Sequence, residues 1–524
     1  MDGPLLVLDR TAGTPIGVQL VEGVRRGILG GVLRPGDPVP STRALAAELG
    51  VSRSAVVSAY EQLAGEGYLE MRQGAATRVA QLARDGAAHI VRDAAHPATS
   101  ADRPSAPDPS APDLSRVTPN GRSAAAPATF RGDSAGGAGA AAGEDAPAMP
   151  EAPAPRIDLR PGRPSTARLD ARAWRAAWRR AAALEVSNDS PPRFGVPRLR
   201  AEISDHLRHA RGVVCAADDI VVTAGTSEAL SLIAATLRLR GGGPPTIAVE
   251  HPGYPSGRRV IEHRGVQTTA VPVDVDGISL EHLRRMPRPA DAVMVTPSHQ
   301  YPLGGRLPVA ARLGLLDWAR DADALVIEDD YDSEFRHLGP PLPALASLDD
   351  EGRVVLVGSF SKVLTPALRL GYLVLPANPG LREAIAELRD AEQCPVPGVA
   401  QEAAAALLAS GAVRRHIAVT SRDYAHRRRL VQAALGELPG ARLSGLDGGL
   451  HAVIEFDAAG TSDAVVTRLA DASIAVAPLA DYSAVPGDER EGIVFGYASP
   501  GDTLLAEALA CIRESILDAH TAKR

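Results

Sequence analysis

Apolar residues in the first 80 positions recur with a helical period. One apolar stripe, which predicts a first helix, consists of Ile16, Leu20, Val24 and Ile28. Ser41 or Thr42 is placed to cap a second helix that Gly50 ends, and Ser52 is placed to cap a third. Extended runs at 68–72 and 76–79 then predict a β-wing. The pattern is that of a helix-turn-helix followed by a wing.

Beyond residue 156 the pattern changes to short apolar runs that alternate with longer helical ones. The strand-like runs are residues 219–223, 246–250, 292–296, 324–328, 354–357 and 370–375. Helical patterns such as 308–320 lie between them. This alternation predicts an α/β body with a largely parallel sheet.

Between these regions, residues 83–155 consist mainly of Ala, Pro, Gly, Ser and Asp, with one aromatic residue, Phe130. Such a composition buries too little apolar surface to offset chain entropy, and it predicts a disordered linker. The expected domains are therefore a head at 1–82, the linker at 83–155 and a body at 156–524. The body is expected to divide into a large part at 156–378 and a small part at 379–524.

Composition and charge indicate where in the cell the protein is found and which kinds of site it lacks. The 524 residues carry a formal net charge of -7, which argues against coating nucleic acid by bulk charge. No apolar run approaches the length of a membrane span, and the N-terminus lacks the features of a signal peptide. The three cysteines are widely separated and lack metal-ligand spacing. We expect a cytoplasmic protein with no membrane contact and no metal.

The head has the features of a DNA-binding unit. The string PGDPVPSTRALAAELGVSRSAVVSAYEQLAGEGYL, at residues 35–69, resembles the winged helix of the GntR family. The resemblance implies that Arg53 meets a guanine edge and that Arg43, Ser52 and Ser54 hold phosphates of operator DNA. Gly74 would let the wing tip approach the minor groove. The head has eight arginines and eight acidic residues, so a protein-docking role is the alternative.

Lysine is scarce, and one lysine is well placed for amine chemistry. Of the 56 basic residues only Lys362 and Lys523 are lysines. Lys362 ends the motif Gly-Ser-Phe-Ser-Lys at 358–362, directly after an apolar strand, where it is suited to form a Schiff base with an aldehyde cofactor. The hydroxyls of Ser359 and Ser361 and the guanidinium of Arg369 are suited to a phosphate. A solvated surface lysine is the alternative, and it suits Lys523 better.

Three further motifs add candidate ligands. In the acidic run at 326–332, Asp329 can hold a pyridinium nitrogen and Tyr331, on the same strand face, a phenolic oxygen; a Mg²⁺ site is the alternative. Thr226 and Ser227 open a helix and form an anion seat. The motifs at 250–254 and 296–304 offer candidate contacts to a flat ring, which are equally compatible with loop packing. These candidates are Tyr254 for stacking and His299 or Gln300 for a ring oxygen.

Together these strings resemble fold-type I aminotransferases, and with the head and linker they resemble the MocR subfamily of GntR regulators. The resemblance implies pyridoxal 5′-phosphate on Lys362, with Asp329 at the pyridine nitrogen, Tyr331 at the phenolic oxygen and Tyr254 on the ring. It also implies phosphate contacts from Thr226, Ser227, Ser359, Ser361 and Arg369. Dimers in this family place each head on the partner's body, so we expect a homodimer with swapped heads.

The chain departs from the aminotransferase pattern at two positions. The late strand at 493–497 has no arginine to bind a substrate carboxylate, and Ser256 stands where some relatives carry another arginine. Both absences disfavour a carboxylate-bearing effector and efficient transamination, although Arg258, Arg414 or Arg415 offer substitutes.

These features predict a transcription regulator that senses pyridoxal phosphate or a reactive amine or amino acid, in control of vitamin B6 synthesis or amino-compound metabolism. The first alternative is an active aminotransferase with an appended head. The second is a scaffold that keeps the aminotransferase shell without its cofactor.

Overall fold

The computed structural model describes residue 8 and residues 15–29, 33–71, 76–80, 155–239, 243–337 and 344–522. Residues 83–154 of the predicted linker, Gly74 and Lys523 lie outside this part of the chain. In the described residues no helix combines the length and the apolar character needed to cross a membrane.

The head is a winged helix-turn-helix. Its elements are α1 (Ile16–Leu29), α2 (Thr42–Leu49), α3 (Arg53–Gly65), β1 (Leu69–Glu70) and β2 (Arg78–Val79). The Ser41 hydroxyl accepts from the Ala44 amide at 3.2 Å and so caps α2, and Gly50 ends that helix at φ 61°. Antiparallel pairing of β1 with β2 forms the wing. The apolar faces of the three helices meet in one core.

The body is built on an eight-stranded sheet. A short strand, β3 (Ile157–Asp158), precedes this sheet in the chain and is not part of it. The eight strands of the sheet are β4 (Ile220–Thr223), β5 (Thr246–His251), β6 (Gln267–Asp274), β7 (Gly277–Ile278), β8 (Ala292–Val295), β9 (Leu325–Asp330), β10 (Val354–Ser359) and β11 (Gly371–Val374). The order in the sheet is β4-β11-β10-β9-β8-β5-β6-β7. The five strands from β10 to β6 pair in parallel, while β11 and β7 run antiparallel to their neighbours. Five strands (β4, β7, β8, β9 and β11) are fully buried, as is typical of a sheet that helices cover on both faces.

A second, smaller sheet lies in the C-terminal part. It contains β12 (Ala441–Ser444), β13 (His451–Phe456), β15 (Ala477–Pro478) and β16 (Gly492–Gly496), and β14 (Ile474–Ala475) pairs instead with β3 in parallel. The helices of the body are α4 (Ala171–Ala182), α5 (Pro197–Arg211), α6 (Thr226–Leu239), α7 (Pro255–His263), α8 (Leu280–Arg285), α9 (Val309–Asp321), α10 (Pro379–Glu392), α11 (Gly398–Ala409), α12 (Ala412–Leu435), α13 (Thr461–Asp471) and α14 (Asp502–Thr521).

The head contacts the body at the start of α9. Val309 is 4% exposed and belongs to the same apolar cluster as the core of the head, with Leu313 packed against it. Beside them Arg25 of the head forms an ion pair with Glu66 at 2.8 Å, and both side chains are largely buried. The apolar core of the head is therefore completed by residues of the body.

Candidate functional site

A cavity of about 670 Å³ opens where the carboxyl ends of β9 and β10 meet the N-terminus of α6. Ligands of open α/β sheets bind at this edge, because loops there are free to carry polar groups. Nine of the eleven residues predicted to contact a cofactor line the cavity: Thr226, Ser227, Tyr254, Asp329, Tyr331, Ser359, Ser361, Lys362 and Arg369. Thr226 and Arg369, which are 143 positions apart in the sequence, are thus brought to one site.

Lys362 follows β10 and points its amine into the cavity. Its Nζ donates to the carbonyl oxygen of Gly162 at 2.7 Å. Burial lowers the pKa of Lys362, and the carboxylates of Asp332 and Asp329 oppose that effect. A lowered pKa raises the fraction of neutral amine, which is the form that attacks an aldehyde.

Asp329, on β9, is 5% exposed and faces the cavity. Within the described residues its Oδ1 is a buried oxygen with no hydrogen-bond partner. Burial first, and the neighbouring Asp330 carboxylate second, raise the pKa of Asp329 to about 7. A buried acceptor without a donor is costly, and a protonated ring nitrogen would supply the missing donor and a compensating charge. The residues present therefore fit a pyridinium ring.

The acidic run on β9 divides between the two faces of the strand. Glu328 accepts from the amides of Leu345 and Ala346 at 2.7 and 2.8 Å, and Asp330 pairs with Arg211 at 2.6 Å. These two acids point away from the cavity, whereas the alternate residue Asp329 points into it. Asp330 and Glu328 therefore stabilise the body, and only the other face serves the site.

The opposite end of the cavity suits a phosphate. Thr226 and Ser227 begin α6, whose first amides lack intrahelical partners and favour an anion. Arg369 is held over this helix start because its Nη2 donates to Ala224 O at 3.0 Å. Ser359 Oγ accepts from the Ser361 amide at 3.1 Å, which orders the turn before Lys362. Two backbone elements and one guanidinium thus converge on a single anion seat.

His299 and Gln300, the other two predicted cofactor residues, lie behind the cavity wall. His299 Nδ1 lies 2.9 Å from the Tyr331 hydroxyl and 3.1 Å from Asp332 Oδ2. Gln300 Nε2 donates to Glu250 at 3.2 Å instead of facing the cavity. His299 therefore contacts Tyr331, the predicted phenolic-oxygen partner, and reaches the site through it.

The same wall contains a compact group of titratable side chains. Each of three buried residues, His299, Asp332 and His451, offers one potential metal-binding atom, and these three atoms lie within 4.8 Å of one another. A metal ion would also accept this spacing. Burial opposes a charged His299 ring, but the Asp332 carboxylate and a hydrogen bond with the backbone of Gly445 act in the other direction, and together they raise the pKa of His299. Burial lowers the pKa of His451 to about 4. The pKa values of the two rings are therefore shifted in opposite directions.

Several residues that line the cavity were not predicted from the sequence. They are Arg160, Pro161, Gly162, Pro255, Ser256, Arg259, Thr296, Tyr301, Asp332, Pro366, Leu450, His451, Ala477, Asp481 and Tyr482. Tyr301 makes edge-on contacts with Tyr254 and Tyr482 at centroid distances of 6.1 and 5.4 Å. Its place within the motif at 296–304 and its aromatic ring were the available signals. Arg160 and Asp481 come from segments whose sequence carries no motif.

The arginines that were considered as substitutes for the missing carboxylate-binding arginine do not line the cavity. Arg258 donates to Ser483 O at 2.7 Å, Arg415 donates to Ser410 O at 3.0 Å, and neither they nor Arg414 line the cavity. The arginines that do line it, besides Arg369, are Arg160 and Arg259.

The predicted DNA contacts cluster on one exposed edge of the head. Arg43 lies in the first turn of α2, and Ser52, Arg53 and Ser54 lie at the start of α3; all four are exposed. Ser52 Oγ accepts from the Ala55 amide at 3.2 Å and lies 3.1 Å from Ser54 Oγ. Ser52 thus caps α3 while its helix start remains open to an anion.

Comparison with known proteins agrees with both regions. The family model of aminotransferase class I and II matches residues 155–490, and that of bacterial regulatory proteins of the gntR family matches residues 17–79. The chain is 40% identical to the HTH-type pyridoxine biosynthesis transcriptional regulator PdxR of Corynebacterium glutamicum, over 98% of each chain. It is 32% identical to the probable rhizopine catabolism regulatory protein MocR of Rhizobium meliloti, over 98% of this chain and 96% of that one.

Solved structures share the fold of the body. Kynurenine aminotransferase of Pyrococcus horikoshii matches with a TM-score of 0.62 and 23% identity, over 69% of this chain and 91% of that one. The alpha-aminoadipate aminotransferase LysN of Thermus thermophilus matches with a TM-score of 0.63 and 23% identity, over 70% and 93%. The chain belongs to the MocR subfamily of GntR-family transcription regulators, with a GntR winged helix followed by a body of the fold-type I aminotransferase class.

Proposed function

We propose that this chain is an operator-binding regulator whose body takes up pyridoxal 5′-phosphate on Lys362, and that pyridoxal phosphate is itself the signal. The observation that carries the proposal is the buried, unpartnered Asp329 Oδ1 in the same cavity as the Lys362 amine. A relative that is 40% identical over nearly the whole chain is named for pyridoxine biosynthesis, which supports the same signal.

The residues that line the cavity have distinct roles in this proposal. When bound, the cofactor supplies an aldehyde that reacts with an amine and a ring that accepts electrons. Asp329 holds the ring nitrogen, Tyr331 and Tyr254 fix the ring, and Arg369 with the start of α6 holds the phosphate. Burial lowers the pKa of Lys362, which favours the neutral form of its amine. Five contacts therefore define the orientation before any effector binds.

The cavity favours the cofactor over an amino acid as effector. Ser256 occupies one of the two places where a carboxylate-binding arginine was sought. In the strand at 493–497, the other place, Tyr497 is buried with its hydroxyl 3.0 Å from His337 Nε2. Of the other arginines that line the cavity, Arg160 is paired with Asp158 at 2.6 Å and Arg259 donates to Ser256 Oγ at 3.3 Å. Because a substrate carboxylate has no dedicated partner at these places, we also propose that transamination is weak or absent.

Binding to an operator requires two heads on a two-fold symmetric site. We therefore propose a cytoplasmic homodimer in which each head docks on a body, either its own or its partner's. The contact of Val309 with the core of the head supplies the docking surface for both arrangements. The proposal keeps the predicted domain boundaries at residues 82 and 156, and it keeps the operator contacts of Arg43, Ser52, Arg53, Ser54 and Gly74.

The test uses the full-length chain and a duplex that this chain selects from random-sequence DNA. The dissociation constant is measured by fluorescence anisotropy with and without pyridoxal phosphate. A ligand changes DNA affinity only if it binds two states unequally, and we expect a change of at least tenfold. The Lys362→Ala variant is expected to lose the response. An unchanged dissociation constant in the parent chain would rule out pyridoxal phosphate as the signal.

A further inference from the structure

Residues 155–165, here called the strap, join the predicted linker to the body. The strap includes β3, and three of its residues, Arg160, Pro161 and Gly162, line the cavity. The chain therefore passes the cavity directly after it leaves the linker. No motif in the strap indicated such a position.

Both ends of the strap are fixed to the small part of the body. At one end the Leu159 amide donates to Ala475 O at 2.8 Å, and the Gly496 amide donates to Leu159 O at 2.6 Å. At the other end the Ser165 amide donates to the buried Tyr424 hydroxyl at 2.8 Å. Between these two anchors, residues 160–163 form a turn in which Arg160 and Arg163 pair with Asp158 and the Gly162 carbonyl accepts from Lys362.

The turn is tied to the cavity through Lys362. In the described part of the chain the one hydrogen bond of Lys362 Nζ goes to Gly162 O, at 2.7 Å. Gly162 has φ 91°, a left-handed conformation that suits glycine. A Cβ at this position would lie 2.9 Å from Lys362 Nζ, so the backbone of the strap and the amine are in direct contact.

We propose that Gly162 is a positioning residue that holds the Lys362 amine in the ligand-free chain, and that the strap is released when this amine reacts with an aldehyde. The proposal rests on the proposed function, because it needs the cofactor's aldehyde at Lys362. It goes beyond that function by assigning the sensor to the segment that adjoins the linker.

The reaction removes the donor on which the strap depends. The neutral amine and the aldehyde form a carbon–nitrogen double bond, and the aldehyde oxygen leaves as water with both amine hydrogens. Gly162 O then has lost its hydrogen-bond partner, and a carbonyl without a partner favours another conformation or exposure to water. Gly162 lies between the amides of Arg160 and Ser165, which donate to Asp158 and Tyr424, so its release is expected to loosen both of these hydrogen bonds at the body end of the linker.

Hydrogen exchange of the full-length chain tests this step. Peptides that cover residues 156–169 are compared without ligand, with pyridoxal phosphate and with pyridoxine 5′-phosphate. The last compound has the same ring and phosphate but an alcohol in place of the aldehyde, so it fills the cavity without reacting. We expect pyridoxal phosphate to speed exchange at Arg160 and Ser165 by threefold or more and the alcohol to leave it unchanged. Equal effects of the two compounds would overturn the proposal.

Two variants of the lysine form a matched pair. Lys362→Gln keeps an N–H donor near Gly162 O but cannot form the double bond, whereas Lys362→Met has a similar length and no donor. We expect slow strap exchange in the Gln variant and fast exchange in the Met variant, each independent of pyridoxal phosphate. Equal exchange in the two variants would show that the hydrogen bond does not hold the strap.

Anisotropy measurements of operator binding distinguish a failure of this inference from a failure of the function on which it rests. If pyridoxal phosphate frees the strap but leaves operator affinity unchanged, the proposed function fails and the role of Gly162 stands. If operator affinity responds while strap exchange stays constant, the signal leaves the body by another path and the inference is wrong.

Discussion

Replacement of Asp329 by Asn is expected to stabilise the cofactor-free chain at neutral and alkaline pH. In the unfolded chain this carboxyl ionises near its ordinary pKa of 3.8, whereas in the folded chain its pKa is raised to about 7. Between these values the folded state binds more protons, so its stability falls as the pH rises through this window and is constant above it. The Asn side chain carries no charge, so the variant does not lose stability at this position as the pH rises.

The size of the effect follows from the same two values. A difference of about three pH units corresponds to roughly 4 kcal/mol at 1.36 kcal/mol per unit. For a body of roughly 370 residues, this free energy divided by the entropy of unfolding corresponds to a shift of about 5 °C in melting temperature. Cofactor binding is expected to reverse the order, because only the ionised Asp329 offers a charge to the ring nitrogen.

Melting curves of parent and variant between pH 5 and pH 9, with and without pyridoxal phosphate, measure both effects. Asp330→Asn is the control on the opposite strand face. It removes the partner of buried Arg211, so we expect it to lower stability at every pH. If the Asp329→Asn variant melts below the parent chain at pH 8 without cofactor, the argument from burial is refuted.

Three further changes have defined outcomes. Arg369→Ala should weaken pyridoxal phosphate binding by ten- to a hundredfold, seen by absorbance titration, because a charge-assisted bond is worth about 1.5–3 kcal/mol; an affinity within twofold of the parent would remove Arg369 from the phosphate seat. Arg53→Ala should weaken binding to the selected operator by roughly tenfold or more and relax base preference, while the exposed Arg34→Ala serves as control in the same anisotropy assay; equal losses in both would point to bulk charge. Leu63→Ala, at a side chain with 0% exposure, should destabilise the head by about 2–5 kcal/mol in urea melts followed by circular dichroism, and an unshifted midpoint would contradict the packing.

Much of the fold could be predicted from local patterns. Six strands of the main sheet and the helix at 308–320 were predicted within two residues or so of their observed bounds, because fully buried strands are dense in Val, Ile and Leu. By contrast β6 was not predicted. Its sequence, QTTAVPVD, is polar and includes a proline, and its pairing depends on β5, which no local pattern reveals.

The site was predictable where a residue type is chemically special. Lys362 stands out as a rare amine, and Asp329 and Tyr331 share a strand face by simple alternation. His299 and Gln300 were assigned to the cavity because they are polar and lie in a loop, but loop conformation decides which side chains face inward. Here the neighbouring Tyr301 lines the cavity instead. Gly162 and Arg160 enter the site through contacts between distant segments, which only the three-dimensional structure shows.

The position of Val309 in the core of the head bears on how the two domains can be separated. A head fragment ending near residue 82 would keep its own helices but expose to water the apolar surface that Val309 and Leu313 cover. Such a surface promotes self-association in a small isolated domain. Operator affinities measured on the fragment would then include fragment oligomerisation, so the heads are better compared while they remain attached to their bodies.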